Sequence, residues 1–233
     1  VTPENVVVTT TAGAFTLDVP GLLVSRVLFA DPFSEISAPQ ARIDLDADGF
    51  SVPSSVAIDG PQGWVYVADF DPAVGTYVRR YNASTGALLM SFLATGTGTN
   101  QANGVESITV NPADGMIYLV ARQATGSRVQ KWSVTGVPGA TPTFVTSWAT
   151  GAAAGAMSGQ ISLNSDGSIV IVPIRSEARV RTFTNTGALL QNITRTVGDS
   201  SGQFREPVAA YFAATNSFVV IEAVRNRRLR FNP

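Results

Sequence analysis

A short segment that runs from arginine through an apolar or alternating stretch to an aromatic residue returns five times along the chain. Successive copies begin 53, 49, 51 and 49 residues apart. Self-similarity at a period of this size predicts a stack of like units, each too small to bury its apolar surface alone. The five segments are Arg26–Phe29, Arg79–Tyr81, Arg128–Trp132, Arg179–Phe183 and Arg228–Phe231.

An apolar strand, a turn and a second, more strongly apolar strand precede each of these segments. The turns carry glycine or asparagine, which tolerate the positive φ that tight hairpins need. A fourth strand follows, clearly at Ser84–Phe92 and Asn185–Ile193, and more weakly at Thr143–Trp148 and Ser34–Ile43. Each unit is therefore predicted to be four antiparallel strands in about 50 residues, which is the size of a propeller blade.

These units predict one all-β domain over residues 1–233, a β-propeller of five four-stranded blades. The second strand is nearly all apolar because neighbouring blades cover both of its faces. The fifth blade ends after its third strand, so a six-bladed ring and a strand-exchanged ring stay open as alternatives. The predicted units are 3–52, 53–104, 105–155, 156–206 and 207–233.

The repeated segments resemble the NHL-repeat family of β-propellers. Gly202–Pro207 resembles that family's entry into a first strand, and Val65–Asp69 resembles its second strand. The arginine-to-aromatic segments resemble its third strand, and the resemblance extends over nearly the whole chain from Pro3. The third copy departs from the pattern, because Ala121 stands where the strand-ending aspartate is expected. The resemblance implies a propeller whose surface loops bind partners.

Histidine and cysteine are both missing from the 233 residues. Their absence excludes a histidine general base, a Ser-His-Asp triad, a cysteine nucleophile and every metal site ligated by histidine or thiolate. With a formal net charge of −1, the protein has no overall electrostatic attraction to nucleic acid or to an anionic membrane. No apolar run approaches the roughly 20 residues that a membrane-spanning helix needs.

Asp44, Asp46 and Asp48, followed by Gly49, form the sharpest local motif. Alternating carboxylates before glycine place several oxygens around one point, as a Ca²⁺ loop requires. No carboxylate stands at the ninth or twelfth position of this loop, so a polar turn between the first two blades is the competing interpretation. Calcium is the one cofactor that the sequence suggests.

Two Asn-x-Ser/Thr triplets, at Asn82 and Asn192, are candidate glycosylation sites in a secreted protein. Chance occurrence in a chain rich in serine and threonine is the competing interpretation for each.

Four aspartates near predicted strand ends invite comparison with the axial metal sites of lactonase-like propellers, but capping of tight turns and pairing with arginine explain them more simply. The three tryptophans fall within predicted strands, which favours a packing role over a ligand cage. The four aspartates are Asp69, Asp71, Asp114 and Asp166, and the tryptophans are Trp64, Trp132 and Trp148.

Together these features predict a non-catalytic, extracellular or surface-exposed module, secreted or virion-associated. It would bind protein partners or like subunits through its faces and loops. A Ca²⁺-dependent, lactonase-like hydrolase is the alternative. An RNA-binding NHL domain is a second alternative, suggested by the basic run Arg225–Arg230, although the net charge argues against nucleic acid.

Overall fold

Among the residues that the structure describes, strands make up the regular structure, apart from one turn of 3-10 helix at Arg175–Glu177. The structure is a computed structural model, and it describes residues 5–10, 13–18, 41–44, 52–69, 76–195, 203, 206–212, 218–222 and 227–231. These residues form eighteen strands in five separate sheets, in chain order. The all-β fold class predicted from the repeats is confirmed.

The second, third and fourth sheets are four-stranded antiparallel meanders, as predicted. The second sheet contains β4 (Pro53–Asp59), β5 (Trp64–Asp69), β6 (Thr76–Asn82) and β7 (Leu88–Ala94). The third contains β8 (Val105–Val110), β9 (Ile117–Gln123), β10 (Gly126–Ser133) and β11 (Thr143–Ala149). The fourth contains β12 (Ser162–Leu163), β13 (Ile169–Ile174), β14 (Arg179–Thr184) and β15 (Leu189–Thr194).

The first sheet departs from the predicted meander. Its hairpin of β1 (Asn5–Thr10) and β2 (Gly13–Asp18) is antiparallel, but β3 (Ala41–Asp44) pairs with β2 in parallel. The prediction of Ser34–Ile43 as an antiparallel outer strand was therefore wrong. Parallel neighbours need a connection of a dozen or more residues, and residues 19–40 provide that length. The predicted strand Arg26–Phe29 lies outside the described residues.

The fifth sheet contains three strands, β16 (Pro207–Phe212), β17 (Phe218–Glu222) and β18 (Arg227–Phe231), in that order. All pairs are antiparallel. Within the part of the chain that the structure describes, this sheet thus has the three strands expected from the sequence.

The aromatic residue of the repeat occupies the same place in each complete sheet. A register shift between the third and fourth strands falls immediately before it in all three meanders. The shifts lie at Arg80/Tyr81, Lys131/Trp132 and Thr182/Phe183. A bulge inserts one extra residue and bends the strand, so its recurrence at one position shows that the three sheets are structural repeats.

The core lies between the sheets, on both faces of each second strand. In β9, Leu119 and Ala121 pack toward the second sheet, while Tyr118 and Val120 pack toward the fourth. All four side chains are fully buried. This two-sided burial explains why the second strands are almost continuously apolar, as the sequence predicted.

Equivalent serines near the start of the first strands link neighbouring sheets. The Ser55 hydroxyl accepts a hydrogen bond from the backbone N–H of Ile108 at 3.2 Å. In the next sheet, the Ser107 hydroxyl accepts one from the backbone N–H of Ile161, also at 3.2 Å. The same bond repeated from sheet to sheet indicates that the units are related by a rotation about an axis near these strands.

Gln160 lies where the first strands converge. Its Nε2 donates to the Ile108 carbonyl at 2.8 Å, and its Oε1 accepts from the Ser55 hydroxyl at 2.9 Å. Its backbone N–H donates to the Val208 carbonyl at 2.6 Å. This one residue, just before β12, thus links the second, third and fifth sheets.

An antiparallel meander places its successive turns at alternate ends, so the stacked sheets have two distinct faces. We call the first the hairpin face, because it carries the turns that join first to second and third to fourth strands. The connection face carries the other turns and the links between sheets. The hairpin face consists of residues 60–63, 83–87, 111–116, 134–142, 164–168 and 185–188.

Candidate functional site

The hairpin turns of the three complete sheets share one construction. A glycine in each turn has a positive φ, and the three values lie within a few degrees of each other. Glycine adopts this conformation without the steric cost that a Cβ atom brings. The glycines are Gly63 (+65°), Gly115 (+68°) and Gly167 (+70°), all in turns that the sequence predicted.

The residue that ends each first strand accepts hydrogen bonds from its own turn. Asn111 Oδ1 accepts the Ala113 N–H at 3.1 Å, and Asn164 Oδ1 accepts the Ile169 N–H at 2.9 Å. Asp59 stands at the equivalent place in the second sheet, where its Oδ1 accepts the Gln62 N–H at 3.2 Å. The cap is therefore an acid in one sheet and an amide in the next two.

Asp59 lines a pocket of about 240 Å³ between the second and third sheets on the hairpin face. The turn before β5, the turn before β9 and Val134 after β10 form its walls. The pocket is lined by Asp59, Pro61, Gln62, Trp64, Pro112, Ala113, Asp114, Gly115 and Val134. Carboxylates and apolar rings thus share one small concave site, of the kind that binds ligands.

Asp59 is only 3% exposed, and its Oδ2 atom has no hydrogen-bond partner among the described residues. A buried polar atom that lacks a partner costs about 1–3 kcal/mol, and a charged one costs more. Burial raises the pKa of Asp59, while the hydrogen bond from Gln62 and the charge of Arg80 oppose that shift. The pocket therefore contains a buried carboxyl group with one oxygen, Oδ2, that accepts no hydrogen bond from the described residues.

Arg80 lies beside the pocket, but its contacts are with residues other than Asp59. Its guanidinium carbon stacks 4.1 Å from the centre of the Trp64 ring. Its Nη2 donates to the carbonyls of Val137 and Ala140, at 3.3 and 3.1 Å. The side chain is fully buried, and its Nε and Nη1 atoms have no hydrogen-bond partner among the described residues. Arg80 thus contributes positive potential near Asp59 and forms no ion pair with it.

Exposed apolar side chains surround this part of the hairpin face. Val137 is 60% exposed, and Leu88 is 46% exposed at the start of β7. Leu189 and Leu190 occupy the corresponding positions in the fourth sheet and are also about half exposed. Four of the seven large hydrophobic residues that are exposed in the described part of the chain thus lie at or beside this face. Clustered exposed apolar side chains mark interaction surfaces.

A second pocket opens on the connection face. It has a volume of about 560 Å³ and is lined by Asn103, Arg122, Gln123, Ala124 and Gly155. Nearby, burial raises the pKa of Glu106, an effect opposed by its hydrogen bonds to Ser158 and by the charge of Arg122. Glu106 does not line this pocket, so no buried acid faces its interior. We therefore take the pocket beside Asp59 as the candidate site.

The predicted calcium loop lies mostly outside the described residues. Asp44 is the last residue of β3, where it pairs in register with Asp18 of β2. Asp46 and Asp48 lie outside the described residues, so the calcium site stays a prediction. Within the described ranges, no three acidic side chains come close enough to hold a metal ion together.

The two predicted glycosylation sites lie at strand positions on different sheets. Asn82 ends β6, and its Oδ1 accepts hydrogen bonds from the Ser84 N–H at 2.9 Å and from the Ser84 hydroxyl at 2.7 Å. Asn192 is exposed in β15, where its Oδ1 accepts from Arg181 Nε at 3.1 Å. Both sites stay predictions.

The aspartates considered for an axial ring do not share a site. Asp114 and Asp166 are exposed in hairpin turns, where each accepts a hydrogen bond from the N–H two residues ahead. Asp69 is fully buried and accepts the Val52 N–H at 3.1 Å, and Asp71 lies outside the described residues. Turn capping thus explains Asp114 and Asp166, as expected for aspartate in tight turns.

The tryptophans pack as predicted. Trp132 contacts Phe92 of the second sheet, with ring centres 5.3 Å apart, and Phe144 of its own sheet at 5.4 Å. Trp148 packs against Tyr118 and, across the boundary to the fourth sheet, against Phe183. Trp132 and Trp148 thus join sheets, whereas Trp64 lines the pocket beside Asp59.

The basic run near the C-terminus forms part of a strand. Residues 227–230 lie in β18, the last strand of the fifth sheet, and their side chains lie outside the described part. Glu206, one residue before the fifth sheet begins, forms an ion pair with Arg175, with Oε2 and Nη2 2.7 Å apart. That pairing was not predicted, because Arg175 lies in the short 3-10 turn after β13 and outside the repeated segments.

Sequence reasoning missed Asp59 and Gln160. The sequence did contain a signal for Asp59, because aligning the hairpins with each other puts Asp59 at the same position as Asn111 and Asn164. Gln160 carried no such signal, since an isolated glutamine before a strand does not reveal that it lies near an axis.

Comparison with known proteins supports the fold. The chain is similar to a structure described as a nidogen/laminin complex, with a TM-score of 0.50, 12% identity, and coverage of 79% of this chain and 65% of the other. It is also similar to the β-propeller domain of Cps50 (Swd1) from Myceliophteria thermophila. That match has a TM-score of 0.60 and 8% identity, and it covers 81% of this chain and 56% of the other.

This chain is a β-propeller. The propeller spans less than two thirds of the length of either of those chains. No protein-family model matches the sequence, and no curated protein is significantly similar to it. In the described residues, the propeller contains no helix of the length and hydrophobicity that a membrane span requires.

Proposed function

We propose that this propeller is a non-catalytic protein-binding and structural module that uses its hairpin face to contact its partner. The observation that carries the proposal is the pocket beside Asp59 on a face that also exposes Val137 and Leu88. Loops on rigid scaffolds are the usual location of recognition. Both structures compared above are propellers, and one of them is a complex between two proteins, nidogen and laminin.

The proposal extends to the repeat type and the location. We infer NHL-like repeats from the arginine-to-aromatic third strands. We also infer an extracellular or surface-exposed protein, secreted or within a virion or surface assembly. The absence of cysteine and histidine from the sequence supports a role without catalysis, because these side chains most often perform it. The sequons at Asn82 and Asn192 support exposure to a secretory pathway.

Site-specific photo-crosslinking tests which face binds. A photo-reactive residue replaces Gln62 or Ala113 on the hairpin face, and Ala124 on the connection face provides the matched control. All three side chains are exposed, so the label is expected to leave the core intact. We expect one recurring crosslinked protein, identified by mass spectrometry, from both hairpin-face positions. Equal crosslinking from Ala124, or none from the hairpin face, would contradict the proposal.

Metal analysis separates the scaffold from the calcium-dependent hydrolase considered above. We expect purified protein dialysed against trace calcium to contain no stoichiometric ion at the propeller axis. A stoichiometric calcium ion that is lost in an Asp69→Asn variant but retained in an Asp46→Asn variant would favour the hydrolase. Loss only with Asp46→Asn would assign the ion to the loop that begins at Asp44.

A further inference from the structure

The pocket beside Asp59 has one unmet chemical requirement. Asp59 Oδ1 accepts the Gln62 N–H, but Oδ2 has no partner in the described structure. The residue is 97% buried, since only 3% of it is exposed. Buried polar groups are nearly always hydrogen-bonded, and an exception at a pocket wall indicates a missing donor. A ligand that supplies a donor here would satisfy the site.

The pocket walls restrict what that ligand can be. Pro61, Pro112, Trp64 and Val134 provide an apolar lining around the acid. Divalent cations such as Ca²⁺ require six or more oxygen ligands, and this lining cannot supply them. The volume of about 240 Å³ lies below the roughly 300–1,000 Å³ typical of small-molecule pockets. The site therefore suits a single extended group with an apolar stem and a polar head.

The surrounding charges favour a cationic head. Asp114 lines the same pocket and adds a second carboxylate at its exposed side. The nearby cations contact aromatic rings: Arg80 stacks on Trp64, and Lys131 Nζ lies 5.2 Å from the centre of the Tyr118 ring. Neither forms an ion pair with Asp59. A basic side chain combines an apolar stem with a charged, donor-rich head, which matches this lining.

We propose that this pocket receives the guanidinium or ammonium group of an arginine or lysine side chain from a protein partner, with Asp59 Oδ2 accepting the hydrogen bond. The inference rests on the proposed function, since the pocket lies on the hairpin face. A protein that inserts such a side chain would also cover the exposed Val137 and Leu88 nearby. Buried charged anchors of this kind, surrounded by apolar contacts, dominate many protein interfaces.

The repeat shows why the boundary between the third and fourth sheets lacks such a site. Asn111 and Asn164 occupy the equivalent positions in the third and fourth sheets. A glycine Cβ at position 167 would lie 2.1 Å from the Asn111 amide, so the turn of the fourth sheet packs directly on that amide. At the boundary between the second and third sheets, the corresponding distance from Gly115 to Asp59 Oδ2 is 3.8 Å. The looser packing leaves room for a ligand.

The test uses N-acetyl-arginine methylamide and its neutral isostere, N-acetyl-citrulline methylamide, as probes. Amide chemical shifts of ¹⁵N-labelled protein are followed during titration with each probe. We expect saturable shifts at Gln62 and Gly115 with the arginine probe, and at least tenfold weaker binding of the citrulline probe. Equal binding of both probes, or no saturable shift at these amides, would overturn the inference.

Asp59→Asn is the decisive variant, because asparagine already fills this position in the next two sheets. We expect it to weaken binding of the arginine probe at least tenfold. Asp166→Asn, in the equivalent turn of the fourth sheet, is the matched control and should leave binding unchanged. If Asp59→Asn does not fold, Asp114→Asn is titrated with both probes instead. We expect this variant to bind the arginine probe less strongly relative to the citrulline probe than the wild type does, and an unchanged ratio would contradict the inference.

The probe titration and the crosslinking experiment fail independently. If a recurring partner crosslinks to position 62 but the probes cause no saturable chemical-shift change, the cation pocket is refuted and the proposed binding face is still supported. Saturable, Asp59-dependent probe binding without any partner from the hairpin face would refute the proposed function instead.

Discussion

Replacing Trp132 with alanine is the sharpest test of how the second and third sheets are joined. The Trp132 side chain is 6% exposed, and its ring packs edge-on against Phe92 across the sheet boundary, with centres 5.3 Å apart. Truncation of a buried tryptophan to alanine costs about 3–5 kcal/mol. For a chain of this size, that loss corresponds to a fall in melting temperature of about 6–20 °C.

A double-mutant cycle isolates the contact itself. Phe92→Leu keeps most of the volume and should cost less than about 1.5 kcal/mol alone. Aromatic pairs contribute about 0.5–1.5 kcal/mol beyond the area they bury, so Trp132→Ala and Phe92→Leu should be non-additive by that amount. Urea unfolding of the four proteins measures the coupling.

Val145→Ala, on the exposed side of β11, provides the control, with an expected change within about 0.5 kcal/mol. Additive single effects would refute the reasoning, because they would mean that the two rings do not stabilise each other across the boundary. A cost below about 1 kcal/mol for Trp132→Ala would refute it as well, because the tryptophan would then not be buried in a core.

Three further predictions address the repeat, the turns and the acid. Ser107→Ala should cost about 1–3 kcal/mol in urea unfolding, because it leaves the buried N–H of Ile161 without its acceptor; an unchanged midpoint would contradict the axial link. Gly63→Ala should lower stability by about 1–2 kcal/mol owing to its φ of +65°, whereas Gly60→Ala in the same turn, which has open space around it, should change little by the same assay. In the folded protein the pKa of Asp59 lies above its ordinary value of 3.8, so the stability that Asp59 contributes is fully present below pH 3.8 and is lost as the pH rises through the folded pKa. The melting temperature of the wild type should therefore fall relative to that of Asp59→Asn as the pH rises from 3.8 through the folded pKa. Parallel curves of melting temperature against pH would contradict a buried acid that lacks a hydrogen-bond donor.

Part of the candidate site was readable from the sequence. The glycines at 63, 115 and 167 fall in turns that alternating strands already bracket, because a local conformational requirement selects the residue type. The packing of Trp132 and Trp148 at sheet boundaries was also readable, since large aromatics within strands of a stacked repeat have only the sheet interfaces to occupy. The pocket was not readable, because its two walls come from turns about 50 residues apart.

The sequence by itself determined the repeat, the order of strands within the three complete units and the two-sided burial of the second strands. Each of these follows from short-range patterns, namely alternation, turn residues and a recurring arginine-to-aromatic segment. Only the tertiary structure decided that β3 lies parallel to β2, that Gln160 reaches three other sheets and that Asp59 Oδ2 has no donor among the described residues. Those features depend on which segments meet in space, and packing across sheets leaves no periodic trace in the chain.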